Sequence, residues 1–325
     1  MKYLAVLFIL SATVASKAQT SSTSASKEVR KYLDKFLDII KDNALYSDSI
    51  NWNELENKVT SLSAGMNKID ECKPVIDTIM RTLWKAGDNH SFFLTKNEAK
   101  VTRSNTYEAK ESEGRYLENG IAYIKIPPIV SINNSVGETF ANSVQTKIKN
   151  LDQSQSITGW VVDLRHNTGG SMYPMFVGVS PLIKDETFGY IISPKNRREM
   201  PLIVKNGRFG PIKVDAPYKI KNQSSRIAVL IDSMTGSSGE FTAIAFKGLP
   251  NVRFFGYPSG GATTSNYTYV LSDGSMLLLS AAYMADRNKQ KYLPKILPDV
   301  IISSANTDTN VDATLEAAKR WLQDR

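Results

Sequence analysis

Apolar residues recur at helical spacing from residue 28 to residue 86. Tyr32, Phe36 and Ile39 or Ile40 make one face, and Ile69, Cys72, Ile76, Ile79 or Met80, and Leu83 make another. No strand signal interrupts this part. The pattern predicts a small helical subdomain over residues 28–95, with Gly87 as the stop after its last long helix and His90 on the loop beyond. After about residue 100 the pattern changes. Residues 120–126 read as a strand ended by Pro127-Pro128, 137–151 as an amphipathic helix through Phe140, Val144 and Ile148, and 159–164 as a second apolar strand. Strand, helix and strand at this length make a βαβ unit, whose crossover is right-handed. The pattern repeats with a helix over 172–182, a strand over 226–231, a helix from about 238 and a strand over 252–256. These features predict an α/β core over residues 96–325, with strands buried on both faces. Residues 189–221 read as irregular. A hairpin is expected around Ser272-Asp273-Gly274, and a terminal helix over 312–322.

The N-terminus adds a compartment. Residues 1–18 have the form of a secretory leader, with Lys2, an apolar run over 4–10 and small residues before a cut. The run is too short for a membrane span, and no later segment is long and apolar enough. Residues 19–27, rich in Ser and Thr, read as a flexible lead-in. An exported chain is expected, periplasmic or extracellular. Cys72 is the lone cysteine in 325 residues, so stability must come from the core and not from an intrachain disulfide. The formal charge is +8, but its lysines and arginines are scattered and accompany no nucleic-acid-binding module. No nucleic-acid partner is expected. The oligomeric state is not legible.

Two segments could carry chemistry. In residues 227–240 an apolar strand ends at Asp232 and a Ser, Thr and Gly loop leads into a helix. A serine there is either a helix cap or a nucleophile beside unpaired backbone N–H groups that stabilise an oxyanion. Residues 163–170, ending in Thr168-Gly169-Gly170, also follow a buried strand and open a helix. They lack the Gly-Lys-Ser/Thr ending and the Gly-x-Gly-x-x-Gly spacing of phosphate loops. A serine nucleophile needs a base. The chain has two histidines, His90 and His166; a buried lysine is the other option. Two histidines and one cysteine, scattered, match no zinc spacing, and no cofactor is called for.

Together, residues 163–170, Thr235-Gly236-Ser237-Ser238-Gly239-Glu240 and Asp88-Asn89-His90-Ser91 resemble the C-terminal-processing (tail-specific) serine peptidase family. The resemblance covers roughly residues 28–325. It implies a crotonase-like α/β fold and an exported endopeptidase or oligopeptidase acting on a peptide or protein substrate through an acyl-enzyme. Aligned on Glu240, the family's nucleophile falls on Ser237. Its oxyanion amides fall on Gly169 or Gly170 and on Ser238. The dyad branch places a lysine about 25 residues after the serine, but 256–264 contains none, and only about 30 residues lie between His90 and the strand at 120, too few for a PDZ domain. The chain is closer to the branch containing the tricorn core and the interphotoreceptor retinoid-binding protein repeats. There His90 matches the tricorn histidine base. Glu240, Asp286 and Asp299 are the candidate acids, with Glu240 the first choice. Because the retinoid-binding repeats hold apolar ligands on the same fold, a non-catalytic binding module for an apolar ligand or peptide is the alternative.

Overall fold

The computed structural model describes residues 24–104, 108–183, 186–302 and 311–324, so the leader expected over 1–18 lies outside the described residues. Helices α1 (Lys27–Asn43), α2 (Trp52–Ser63) and α3 (Lys73–Lys85) come first. Strand β1 (Phe92–Leu94), helix α4 (Lys96–Arg103), and strands β2 (Glu113–Tyr116) and β3 (Ile121–Lys125) follow. Next are α5 (Asn134–Ser154), β4 (Gly159–Asp163) and α6 (Met172–Val179). Strands β5 (Gly189–Ser193), β6 (Arg198–Leu202), β7 (Arg208–Phe209) and β8 (Ile212–Lys213) fill the stretch that reads as irregular. The chain ends with β9 (Arg226–Ile231), α7 (Ser238–Ile244), β10 (Val252–Gly256), β11 (Thr264–Val270), β12 (Met276–Asp286), β13 (Val300–Ile301) and α8 (Ala313–Gln323).

The architecture is mixed α/β. Six strands form one sheet in the order β13-β10-β9-β4-β3-β2, parallel except for β2. Side chains on a strand alternate between faces, and here both faces are buried. Trp160 and Val162 on β4, with Val229 and Ile231 on β9, pack with Phe140 and Val144 of α5, Phe176 of α6 and Phe241 of α7. The intervening Val161, Ala228 and Leu230 pack under Ala318 and Leu322 of α8. Each fully buried aliphatic side chain contributes about 1.5–3 kcal/mol, which is why the apolar runs 159–163 and 226–231 become central strands.

The second sheet is antiparallel, in the order β1-β12-β5-β6, with β11 on the other side of β12. Pro201 lies in β6, at the sheet edge where a missing N–H breaks no ladder. Helices α1–α3 bury Phe36, Ile40, Ile79 and Leu83 in a separate cluster that also takes Leu277 and Leu279 of β12. Farther along the same strand, Ala282 and Met284 belong to the main core. The helix at α1 starts where Ser26 accepts a hydrogen bond from Val29 N at 3.2 Å. Cys72 is buried in this helical cluster, and burial pushes its thiol up to about 11, so it is an inert core residue. Among the described residues no helix is long and apolar enough to cross a membrane.

Candidate active site

Four chain segments meet at the carboxyl ends of β4 and β9, where open α/β sheets place their ligands. β9 ends at Ile231 and α7 begins at Ser238, leaving a tight loop between them. Asp232 organises it. Its side chain accepts from the amides of His166 and Met234 at 3.1 and 3.0 Å. Thr235 Oγ1 donates to Leu164 O at 2.9 Å, which ties this loop to the one after β4. Ser237 follows with φ of +52°, a conformation rare for a residue with a Cβ. Strain of this kind persists only where the surroundings hold it, and it turns the side chain off the end of the sheet.

Facing it is His90, from the loop between α3 and β1. Its Nε2 is 2.8 Å from Ser237 Oγ. Its Nδ1 is 2.9 Å from Thr264 Oγ1, at the start of β11. Burial pushes the imidazole down to about 4, against the opposing field of Asp88 and a contact with the Thr264 backbone. The Asp88 carboxylate is turned to the backbone. It accepts from the amides of His90 and Ser91 at 3.1 and 2.8 Å, and from Ser91 Oγ at 2.6 Å. Asn89 Nδ2 donates to Gly261 O at 3.0 Å and fastens the histidine loop to the opposite wall.

The glycine loop comes within contact of the elbow. A Cβ on Gly169 would sit 2.7 Å from Ser237 Cβ and 2.9 Å from Ser238 N, and one on Gly170 only 2.0 Å from Ile129 O. Both glycines have φ near +100° or above, so no other residue fits either place. Asn167 sets the loop's shape. Its side chain accepts from Gly169 N at 3.0 Å and donates to Ile126 O at 2.9 Å. The Gly169 amide is therefore engaged. The N–H groups of Gly170 and Ser238 have no hydrogen-bond partner among the described residues. Ser238 Oγ donates to Gly170 O at 2.7 Å, so the serine's side chain ties the elbow to the glycine loop. Arg165, in the same loop, is held at 2.6 Å by Asp163 and at 2.7 Å by Asp312, the cap of α8.

The candidate acids lie elsewhere in the network. Glu240 is fully buried and accepts from Ser237 N at 3.0 Å, Gly261 N at 2.9 Å, Ala262 N at 2.7 Å and Ser259 Oγ. Burial raises its carboxyl, while these partners pull the other way. All four are donors, and they fit the ionised form. None is His90. Asp286 accepts from Asn288 N, Gln290 N and Tyr292 Oη. Asp299 accepts from Phe254 N and lies 3.9 Å from Lys247. Lys247 itself packs over the Phe254 ring, away from the serine. His166 is exposed, with its ring against Met234 and Asp232. Sequence reasoning missed Thr264. It stands at the end of the stretch 256–264 in which the dyad branch has its lysine, and nothing in its residue type marks it.

Residues 120–302 match Peptidase family S41. The chain is 32% identical over 285 residues to a nisin-resistance protein of Lactococcus lactis subsp. lactis, covering 86% of this chain and 85% of that one. Its fold is similar to that of a lipoprotein from Streptococcus agalactiae, with a TM-score of 0.74 and 26% identity over 90% of this chain and 96% of that one. It is also similar to the photosystem II D1 C-terminal processing protease, with a TM-score of 0.58 and 14% identity over 92% and 98% of the two chains, a likeness of fold.

Proposed function

Since the chain belongs to peptidase family S41, a family of serine-type peptidases, we propose that it cleaves peptide bonds with Ser237 as nucleophile and His90 as base. The observation that carries this reading is the 2.8 Å contact between Ser237 Oγ and His90 Nε2. Ser237 Oγ bonds to the scissile carbonyl carbon while its proton passes to Nε2, and the carbonyl's π pair moves onto oxygen. The amides of Gly170 and Ser238 receive that oxyanion. As the C–N bond breaks, Nε2 gives the proton to the leaving amine. Water then adds to the acyl ester, yields a proton to Nε2, and Ser237 recovers it when the ester bond breaks. No cofactor enters these steps.

The same reading takes residues 96–325 as a crotonase-like core carrying the nucleophile. Residues 28–95 are then the helical subdomain that carries the base to it. It also takes the chain as exported, on the strength of the leader-like residues 1–18 and of its likeness to a lipoprotein and a nisin-resistance protein. That relative's name makes nisin the first substrate to assay. A fluorophosphonate probe should label the parent and not Ser237→Ala, and nisin digestion followed by mass spectrometry should stop in the same variant. Undiminished cleavage by Ser237→Ala would show that the nucleophile is another residue. Failure of the parent to label or to cleave any peptide would favour the ligand-binding alternative.

A further inference from the structure

A histidine base works only as the tautomer with Nε2 bare toward the serine, and a carboxylate on Nδ1–H is the usual means of holding it. In this site no carboxylate bonds to the ring among the described residues; a chain of hydroxyls does. Nδ1 meets Thr264 Oγ1 at 2.9 Å, Thr264 Oγ1 meets Ser280 Oγ at 3.0 Å, and Ser280 Oγ donates to Asn266 Oδ1 at 3.0 Å. The last link sets the direction of all the others. Asn266 Nδ2 donates to His90 O at 2.9 Å, so the amide oxygen must face Ser280. An amide oxygen only accepts. Ser280 therefore gives its proton to Asn266 and accepts from Thr264. Thr264, its own proton spent, can only accept from Nδ1–H. Nε2 is thereby left to accept from Ser237.

The fold is built to close this chain. β11 and β12 shift register between Ser265 and Asn266, so that Asn266 stands opposite Ser280 while Thr264 stands opposite Tyr283. A bulge of this kind re-aims side chains beside a site. Ser280 N donates to Ser91 Oγ at 2.8 Å, and Ser91 Oγ donates to Asp88, which pins the strand to the loop bearing His90. Thr264 and Ser280 are both buried, so water does not compete for the hydroxyls.

We propose that Thr264 and Ser280 are positioning residues which, ending on Asn266, hold His90 as the Nδ1–H tautomer in the place of a triad acid. The inference rests on Ser237 and His90 being the reacting pair. No proton travels along the chain; each hydroxyl keeps its own through the cycle.

Because the chain contains two histidines, the ring nitrogens can be followed by 15N NMR, with His166→Gln assigning the signals. At pH 7 the parent should show His90 with Nδ1 protonated and Nε2 bare. Ser237→Ala should show the same, since the hydroxyl chain and not the serine sets the tautomer. Thr264→Val, which keeps the shape and removes the hydroxyl, should mix or invert the tautomers. It should also lower kcat about 10- to 100-fold with KM within about twofold. Thr264→Ser should restore both readouts. Ser280→Ala, the second variant should Thr264→Val not fold, should lower kcat by a smaller factor and loosen the tautomer. An unchanged tautomer and kcat in Thr264→Val, or a tautomer that inverts in Ser237→Ala, overturns the proposal. A Ser237→Ala protein that still cleaves refutes the reading beneath it instead, whatever the NMR shows.

Discussion

Glu240 accepts a hydrogen bond from the amide of Ser237, three residues before it and 3.0 Å away, and so holds the backbone of the proposed nucleophile and not the ring of the proposed base. The same carboxylate gathers Ser259, Gly261 and Ala262. Gln at this position would turn two N–H donors toward groups that are themselves donors. Glu240→Gln is expected to cost roughly 2–4 kcal/mol of stability, with activity falling alongside. Denaturant melts beside kcat measurements check this. A triad acid would show the opposite pattern, a large loss of kcat on an intact fold.

Ser238 would serve the proposed oxyanion pocket with its amide, and its hydroxyl ties it to the other proposed member, Gly170. Removing the hydroxyl in Ser238→Ala frees Gly170 O and should lower kcat roughly 3- to 10-fold, with KM nearly unchanged. Gly170→Ala is expected to be inactive and less stable, because its Cβ would lie 2.0 Å from Ile129 O. Steady-state kinetics and thermal melts separate the two. Equal, full activity in both would move the oxyanion elsewhere.

The pH dependence follows from the burial of His90. An ordinary histidine base would put the acid limb of kcat/KM near 6.5. With the imidazole pushed down to about 4, activity should stay level through pH 6 and fall only toward pH 4. Stability moves in the same direction. The folded pKa lies below the unfolded one, so the unfolded chain binds the extra proton. The contribution is complete above pH 6.5 and is lost as the pH falls toward 4, amounting to about 3 kcal/mol. Denaturant titrations at pH 7 and 4.5, on parent and His90→Gln, should show a pH-sensitive increment in the parent alone.

His166 gives a contrasting expectation. Its ring is exposed and the loop needs only its amide, which donates to Asp232. His166→Ala should keep kcat within about threefold, with a small stability loss because φ is +61°. His90→Ala should match Ser237→Ala in severity, and the double variant should be little worse than either. Reversed severities would place the base in the glycine loop.

The parts of the site that are legible in the sequence are those whose backbone demands show in composition. Gly169-Gly170 and the Ser-rich elbow announce positive φ and close approach. The apolar runs at β4, β9 and β10 announce strands covered on both sides. Strand β6 gave no such signal, because Arg198, Glu199 and Met200 are all exposed at a sheet edge and break any alternation. Thr264, Ser280 and Asn266 are hidden for another reason. Hydroxyl residues are common in strands, and only the register shift between β11 and β12 brings these three together. Glu240 was visible as a carboxylate, but its partners at 259–262 are set by the return of the chain and not by spacing.

Strand β12 lends Leu277 and Leu279 to the helical cluster, Ser280 to the histidine's support, and Ala282 and Met284 to the main core. Damage deep among the helices therefore reaches the chemistry through one strand. Leu279→Ala opens a cavity costing about 2–5 kcal/mol, yet no atom of that side chain belongs to the site. On warming, such a protein should fall silent as a peptidase at temperatures where its secondary structure is still intact, because the imidazole loses its setting before the sheets come apart. Circular dichroism and probe labelling followed on one temperature ramp would show the two curves separated in the variant and nearly coincident in the parent. On the proposed roles, the helical part would then do more than carry His90; its packing would set the temperature at which cleavage stops.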